Sequence, residues 1–238
     1  VVAPKSVFAL NAVLSLVAVA LLLGLHLPIK PAPERQDFRT ELFAGTAEFR
    51  RSRLLLLALV FSAVAYFAFF LYDALVALLT DEFGFGPTAF GFGIAASGGG
   101  GLVGALVAGR ITSHRPVVSM ALAAVVSGLG SMLVALAAIT GFAMPLWLYF
   151  GALALMGGST AFMLVPYRTI IQAATPPDRI ARVFAAGEAV IMAVMLSAPF
   201  IGSVIASQYG TGAAFLAGGV LLVGLGLVTG LAFTTRKS

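Results

Sequence analysis

Residues 116–167 read PVVSMALAAVVSGLGSMLVALAAITGFAMPLWLYFGALALMGGSTAFMLVPY, from Pro116 to Tyr167 without one Asp, Glu, Lys or Arg. A helix crosses the ~30 Å hydrocarbon layer with about 20 apolar residues. The run is too long for one crossing and long enough for two. Thr140, Gly141 and Pro145 supply the turn signal that divides it. Inside lipid a backbone must pair its own N–H and C=O groups, which makes the helix the form such a run takes. This stretch sets the class: an all-α, polytopic membrane protein.

Working outward, the same criterion finds seven spans, at 6–27, 54–79, 89–109, 116–139, 145–165, 183–206 and 212–234. Composition agrees. Hydrophobic residues make up 61% of the 238 and charged residues 10%, against roughly 45–50% and ~25% in soluble domains. A net charge of +5 can mark nucleic-acid binding, but the bases here follow a membrane pattern. There are no cysteines, which excludes disulfides, thiolate metal sites and cysteine nucleophiles.

Lys30, Arg35, Arg39, Arg50, Arg51 and Arg53 fall between spans one and two. Arg110 and Arg115 fall between three and four, Arg168, Arg179 and Arg182 between five and six, and Arg236 and Lys237 after span seven. Alternating spans put all of these on one side. Only Lys5 lies on the other, so thirteen of fourteen basic residues mark one face. The positive-inside rule makes that face, and the C-terminus with it, cytoplasmic. The expected location is a plasma or inner membrane.

Segment 30–53 is the one long connection, preceded by Pro28 and holding Pro31, Pro33 and mixed charges. Residues 38–50 within it read as a short surface helix with Phe38, Leu42 and Phe49 on the apolar side. The chain therefore divides into residues 1–29, the linker 30–53, and a six-helix bundle over 54–238. It begins with Val1 at the edge of an apolar span, which reads as a truncated reading frame rather than a processed N-terminus.

One span, a charged linker and six further spans resemble the second half of a major facilitator superfamily transporter, whose two six-helix halves are joined by a long cytoplasmic loop. Three local patterns strengthen the resemblance. Gly109-Arg-Ile-Thr-Ser-His-Arg115 is similar to the degenerate second-half copy of the superfamily's short cytoplasmic loop motif; its usual Asp is absent, with Ser113 near its place. Gln172-Ala-Ala-Thr-Pro-Pro-Asp-Arg-Ile-Ala-Arg182-Val resembles the loop before the eleventh helix of efflux members, closest to the bacterial branch with the enterobactin exporter and macrolide efflux proteins, with Ala181 where Gly is commoner. Ala198-Pro199-Phe-Ile-Gly202 is similar to the Pro-Gly break in that helix. The resemblance implies that 6–27 is the last helix of a first half that is otherwise missing. It also implies export of a small amphipathic substrate by alternating access, as an antiporter driven by protons or sodium. Arg110, Arg115, Arg168, Gln172, Arg179 and Arg182 then belong to the cytoplasmic gating loops.

Ionisable groups inside spans are costly and invite a functional account. Asp73 lies about 19 residues into the second span, and Ser62, Tyr66, Phe69, Phe70 and Asp73 recur at helical spacing as one polar and aromatic face. Such a face should turn toward a cavity. Two readings of Asp73 stand: a substrate or coupling-proton site, or a carboxylate that reaches the outer headgroups. Glu188 lies in the sixth span, whose start reads as Thr175 at the N-cap, Pro176 at the first helical position and Asp178 three residues after the cap. Counted from Pro176 it sits about 18 Å along, in reach of Arg110, Arg115 or Arg168, either as a gating ion pair or as a static one. Met192, one turn on, either lines a permissive cavity or packs in the core.

Ala96, Gly100, Gly104 and Ala108 form a small-residue stripe that lets a neighbouring helix approach closely. The same run contains a literal G-x-G-x-x-G, but it lies inside a span, without the strand and βα turn a dinucleotide site needs. An intramembrane serine protease would need a histidine beside Ser97. His114 is 17 residues along, about 25 Å, and His26 lies at another cytoplasmic end, so no catalytic pair forms. Two separated histidines offer no metal site. The chain is expected to be neither an enzyme nor a cofactor protein. Its expected partners are the lipid bilayer, a small-molecule substrate, a coupling ion and the missing half, with no nucleic acid. A permease subunit of an ATP-driven transporter is the rival reading. Loop 28–53 is long enough to dock an ATPase but lacks the Glu-Ala-Ala pattern of bacterial importers.

Overall fold

The computed structural model describes residues 4–24, 38–111 and 115–234. The described elements are helices: α1 (Pro4–Leu23), α2 (Phe38–Arg51), α3 (Arg53–Asp73), α4 (Val76–Glu82), α5 (Gly86–Ile111), α6 (Pro116–Thr140), α7 (Leu146–Ala174), α8 (Ile180–Tyr209) and α9 (Thr211–Thr234). The chain divides into two units, 1–37 and 38–238. In the first, α1 is apolar from Asn11 to Leu23. The linker residues Pro28, Lys30, Pro31, Pro33 and Arg35, together with His26, Ser113, His114, Arg236 and Lys237, lie outside the described residues.

Among the described residues, α3, α5, α6, α7, α8 and α9 are long and apolar enough to cross a membrane, and α1 has a shorter apolar stretch, Asn11–Leu23. This is a polytopic, all-α architecture. The split of the uncharged run falls at Gly141, whose φ of 67° is the left-handed cap a helix end takes. Within the second unit α6 packs along α9, α5 and α6 pack along α7, and α3 packs along α8 and α9. Two cores result. One, toward the arginine-bearing helix ends, gathers Leu55, Met120, Tyr167, Ile171 and Val183. The other, toward the opposite ends, gathers Tyr72, Leu79, Val134, Tyr149 and Phe215.

Three helix boundaries differ from the sequence reading. The span expected over 54–79 is broken. After Asp73, the Leu75 N–H turns back to the Tyr72 carbonyl at 2.8 Å, and α4 begins at Val76. No Gly or Pro marks the break. Tyr72 stacks on Phe215 with ring centres 4.7 Å apart, and tertiary packing holds the turn. The span expected to end at 165 continues through Pro166 to Ala174, at the expense of one backbone hydrogen bond in that turn. The helix expected to start at Thr175 and Pro176 starts one turn later, at Ile180. Thr175 caps the end of α7 instead, and residues 176–179 form a turn closed by the Arg179 N–H on the Pro176 carbonyl at 3.0 Å.

Hydroxyls tie the helix ends opposite the arginines. Thr80 and Tyr149 share a hydrogen bond of 2.6 Å between α4 and α7, and Thr211 donates to the Glu82 carboxylate at 2.5 Å between α9 and α4. Deeper in the bundle, Ser131 donates to the Phe215 carbonyl at 2.8 Å. At the arginine end the amphipathic α2 lies on α8. Phe49 is 2% exposed, and a methyl group on Gly45 would come within 2.7 Å of the Ala186 Cβ and the Arg182 carbonyl. Gly45→Leu is therefore expected to lift α2 from α8, read as faster amide exchange throughout α2 with little change in the spans.

Candidate functional site

Tyr66 on α3 is where the candidate side chains converge. Helix α3 packs against α8, which brings Glu188 within electrostatic reach of Tyr66 across 122 positions of sequence. Arg168, near the end of α7, lies within electrostatic reach of the same hydroxyl. Tyr167 joins them. It is fully buried, within electrostatic reach of Glu188, Tyr66 and Arg168. Its hydroxyl has no hydrogen-bond partner among the described residues and packs so close to Gly187 that a Cβ there would overlap it. The site is a small polar group of two tyrosines, a half-buried carboxylate and an exposed guanidinium, set in apolar helices α3, α7 and α8.

Glu188 is eight residues from Ile180, so it sits about 12 Å along α8 and not the 18 Å that the earlier helix start implied. The ion pairs among the described residues are Glu48–Arg51, Glu48–Arg179 and Arg179–Asp178. Glu188 is in none of them, and Arg110, Arg115 and Arg168 are exposed. Met192 is 54% exposed. The core-packing alternative for it is thereby corrected: α8 turns that face outward from the bundle.

The residues of the face expected on α3 differ in exposure. Ser62 is 3% exposed and buried, and Phe69 packs edge-on against Tyr72 in the second core. Tyr66, Phe69, Phe70 and Asp73 are all half-exposed. Asp73, at the last residue of α3, is two turns from Tyr66, about 10 Å at 1.5 Å per residue. The two carboxylates therefore occupy different levels of the bundle.

Close helix approaches frame the site. A Cβ on Gly202 would overlap the Leu71 carbonyl, so α8 touches the backbone of α3 just beyond Pro199. A Cβ on Gly100 or Gly104 would overlap the Ala154 or Gly158 carbonyl of α7. Ala108 is fully buried, and Ala96 is half-buried.

One contact was invisible in the sequence. Arg179 donates to Glu48 at 2.5 Å, joining α2 to the turn before α8, and Arg51 reaches the same carboxylate oxygen at 3.2 Å. The Glu48 carboxylate beside it holds the Arg179 guanidinium above its usual range. Gln172 is exposed, and Arg182 is half-buried on the first turn of α8. Glu48→Gln is expected to weaken the docking of α2, seen as salt-independent exchange of its amides where the parent's exchange rises with salt. The thermal midpoint should move little, because exposed ion pairs contribute little to stability.

Residues 63–238 match the family model of the Major Facilitator Superfamily. The chain belongs to the major facilitator superfamily. It is 28% identical over 205 residues to an uncharacterized MFS-type transporter, YfiS, of Bacillus subtilis strain 168, an alignment covering 82% of this chain and 47% of that protein. The chain thus spans about half the length of the curated relative it matches. No solved structure matches it. Superfamily membership and the six long apolar helices make this a multi-pass membrane protein of a transporter family.

Proposed function

We propose that this chain is the second half of a secondary transporter. Residues 1–29 would be the last helix of the first half, 30–53 the central loop, and 54–238 the complete second bundle. Its arginine-rich face lies in the cytoplasm, and it exports a small amphipathic compound by alternating access coupled to a proton or sodium gradient. The observation that carries this reading is Glu188: a half-buried carboxylate within an apolar helix packed on α3, without an ion-pair partner among the described residues and within electrostatic reach of Tyr66. Carboxylates at such depth are costly and mark ion or substrate paths.

The exposed faces support it. Half of the most apolar stretch of α3 and of α6 is buried, but only 11% of that of α5 and 17% of that of α8. Met192, Leu196 and Phe200 on α8 are open, which suits a surface that a first half covers. Glu188 and Tyr66 take the coupling ion or a polar group of the substrate, and Met192 adapts to its apolar part. Arg110, Arg115, Arg168, Gln172, Arg179 and Arg182 line the side that opens and closes.

Asp73 is a second candidate, one level nearer the other side. Asp73→Asn in the chain joined to its first half is expected to lower substrate-dependent flux; undiminished flux would remove Asp73 from the path and leave Glu188 as the sole carboxylate candidate.

A further inference from the structure

Helices α5 and α6 both pack extensively on α7 and at most marginally on each other, and the gap between them is a groove of about 930 Å³. Its floor is the small-residue face of α7 at Gly151, Ala154 and Gly158, and its walls include Val103 and Leu122. The lining is apolar with one charged exception. Arg115, at the start of α6, closes the end of the groove on the arginine-rich face, with Ser119 one turn further in.

Length narrows the occupant. From Arg115 to Val126 the groove runs along α6 for about 16 Å, at 1.5 Å per residue. That is about half of the ~30 Å hydrocarbon layer, one leaflet. The groove therefore starts at the membrane surface, beside a cation, and ends near the midplane. Arg115 belongs to none of the ion pairs among the described residues, so its charge is available to a ligand. A water-soluble ligand would not suit walls this apolar, and a neutral chain would leave the cation unused.

We propose that this groove holds an anionic phospholipid of the leaflet on the arginine-rich side, one acyl chain lying along α7 and its phosphate on Arg115. Basic residues at the mouths of interhelical clefts favour anionic headgroups. Gly99 and Gly151, both in the lining, have no atom within 4 Å of where a side chain would begin. A leucine at either position would occupy the groove without meeting a neighbour.

The test is lipid retention by the full chain, purified in mild detergent and measured by native mass spectrometry. The probes are phosphatidylglycerol and phosphatidylcholine of identical chains. The parent is expected to retain one equivalent of phosphatidylglycerol in preference to phosphatidylcholine. Arg115→Gln should lower that preference about fivefold, and Arg115→Lys should keep most of it. Gly151→Leu should reduce retention of both lipids while the protein stays monodisperse. Equal retention of the two lipids by the parent, or undiminished retention by monodisperse Gly151→Leu, would overturn the proposal. If Gly151→Leu aggregates, Gly99→Leu provides the same reading from the opposite wall.

Discussion

Gly202→Leu is expected to destabilise the bundle more than any other single substitution considered for this protein. At Gly202 the α8 backbone meets the Leu71 carbonyl of α3 with no room for even a methyl group. Because the obstacle is main chain and not the end of a flexible side chain, no rotamer change can relieve it. The two helices must separate, and α3 carries Tyr66 while α8 carries Glu188. The cost should reach about 3 kcal/mol or more, the upper end for overpacking. It would be read as a lower thermal midpoint in detergent and a loss of monodisperse protein. Gly224→Leu is the control, since nothing lies within 4 Å of the side chain it would add. Equal stability of the two variants would mean that α3 and α8 do not meet as described.

Glu188→Gln should have the largest effect on transport. In the chain joined to its first half, gradient-driven accumulation of substrate is expected to fall roughly tenfold or more, within the range of coupling free energies between linked sites. Downhill exchange and thermal midpoint should stay near those of the parent, because the amide keeps the shape of the side chain and Glu188 has no ion-pair partner to lose among the described residues. That split separates a coupling group from a structural one. Tyr66→Phe should weaken substrate dependence more than it weakens the response to the ion gradient, since the phenol, unlike the carboxylate, does not change charge at neutral pH. Equal losses of accumulation and exchange in Glu188→Gln would assign that residue to packing or folding.

The membrane class could be read from residues 116–167 because absence of charge over such a length admits few structures, and Gly141 marks the turn between its two helices with a left-handed cap. The end of α3 was not legible. Nothing between Tyr72 and Val76 breaks a helix by its own propensity, and the turn there depends on packing against α9. The start of α8 was misplaced because Thr175, Pro176 and Asp178 form a local capping pattern that two consecutive prolines convert into a turn. The approach of Glu188 to Tyr66 was hidden for a different reason. Both residues stand out as polar groups in apolar spans, but only the pairing of α3 with α8 brings them together. The Glu48–Arg179 bond is the extreme case, with partners 131 positions apart and no local signal in either.

Reconstitution tests the central claim, that this chain is one of two halves enclosing a substrate path. Proteoliposomes would carry either the 238-residue chain alone or the same chain co-expressed with a preceding five-span block. Flux of an amphipathic fluorescent dye would be followed under an imposed proton or sodium gradient. The chain alone should insert with its six long helices protected and give no gradient-dependent flux, and the co-expressed pair should give gradient-driven flux that Glu188→Gln lowers roughly tenfold or more. Saturable, gradient-dependent flux through the isolated chain would contradict the account.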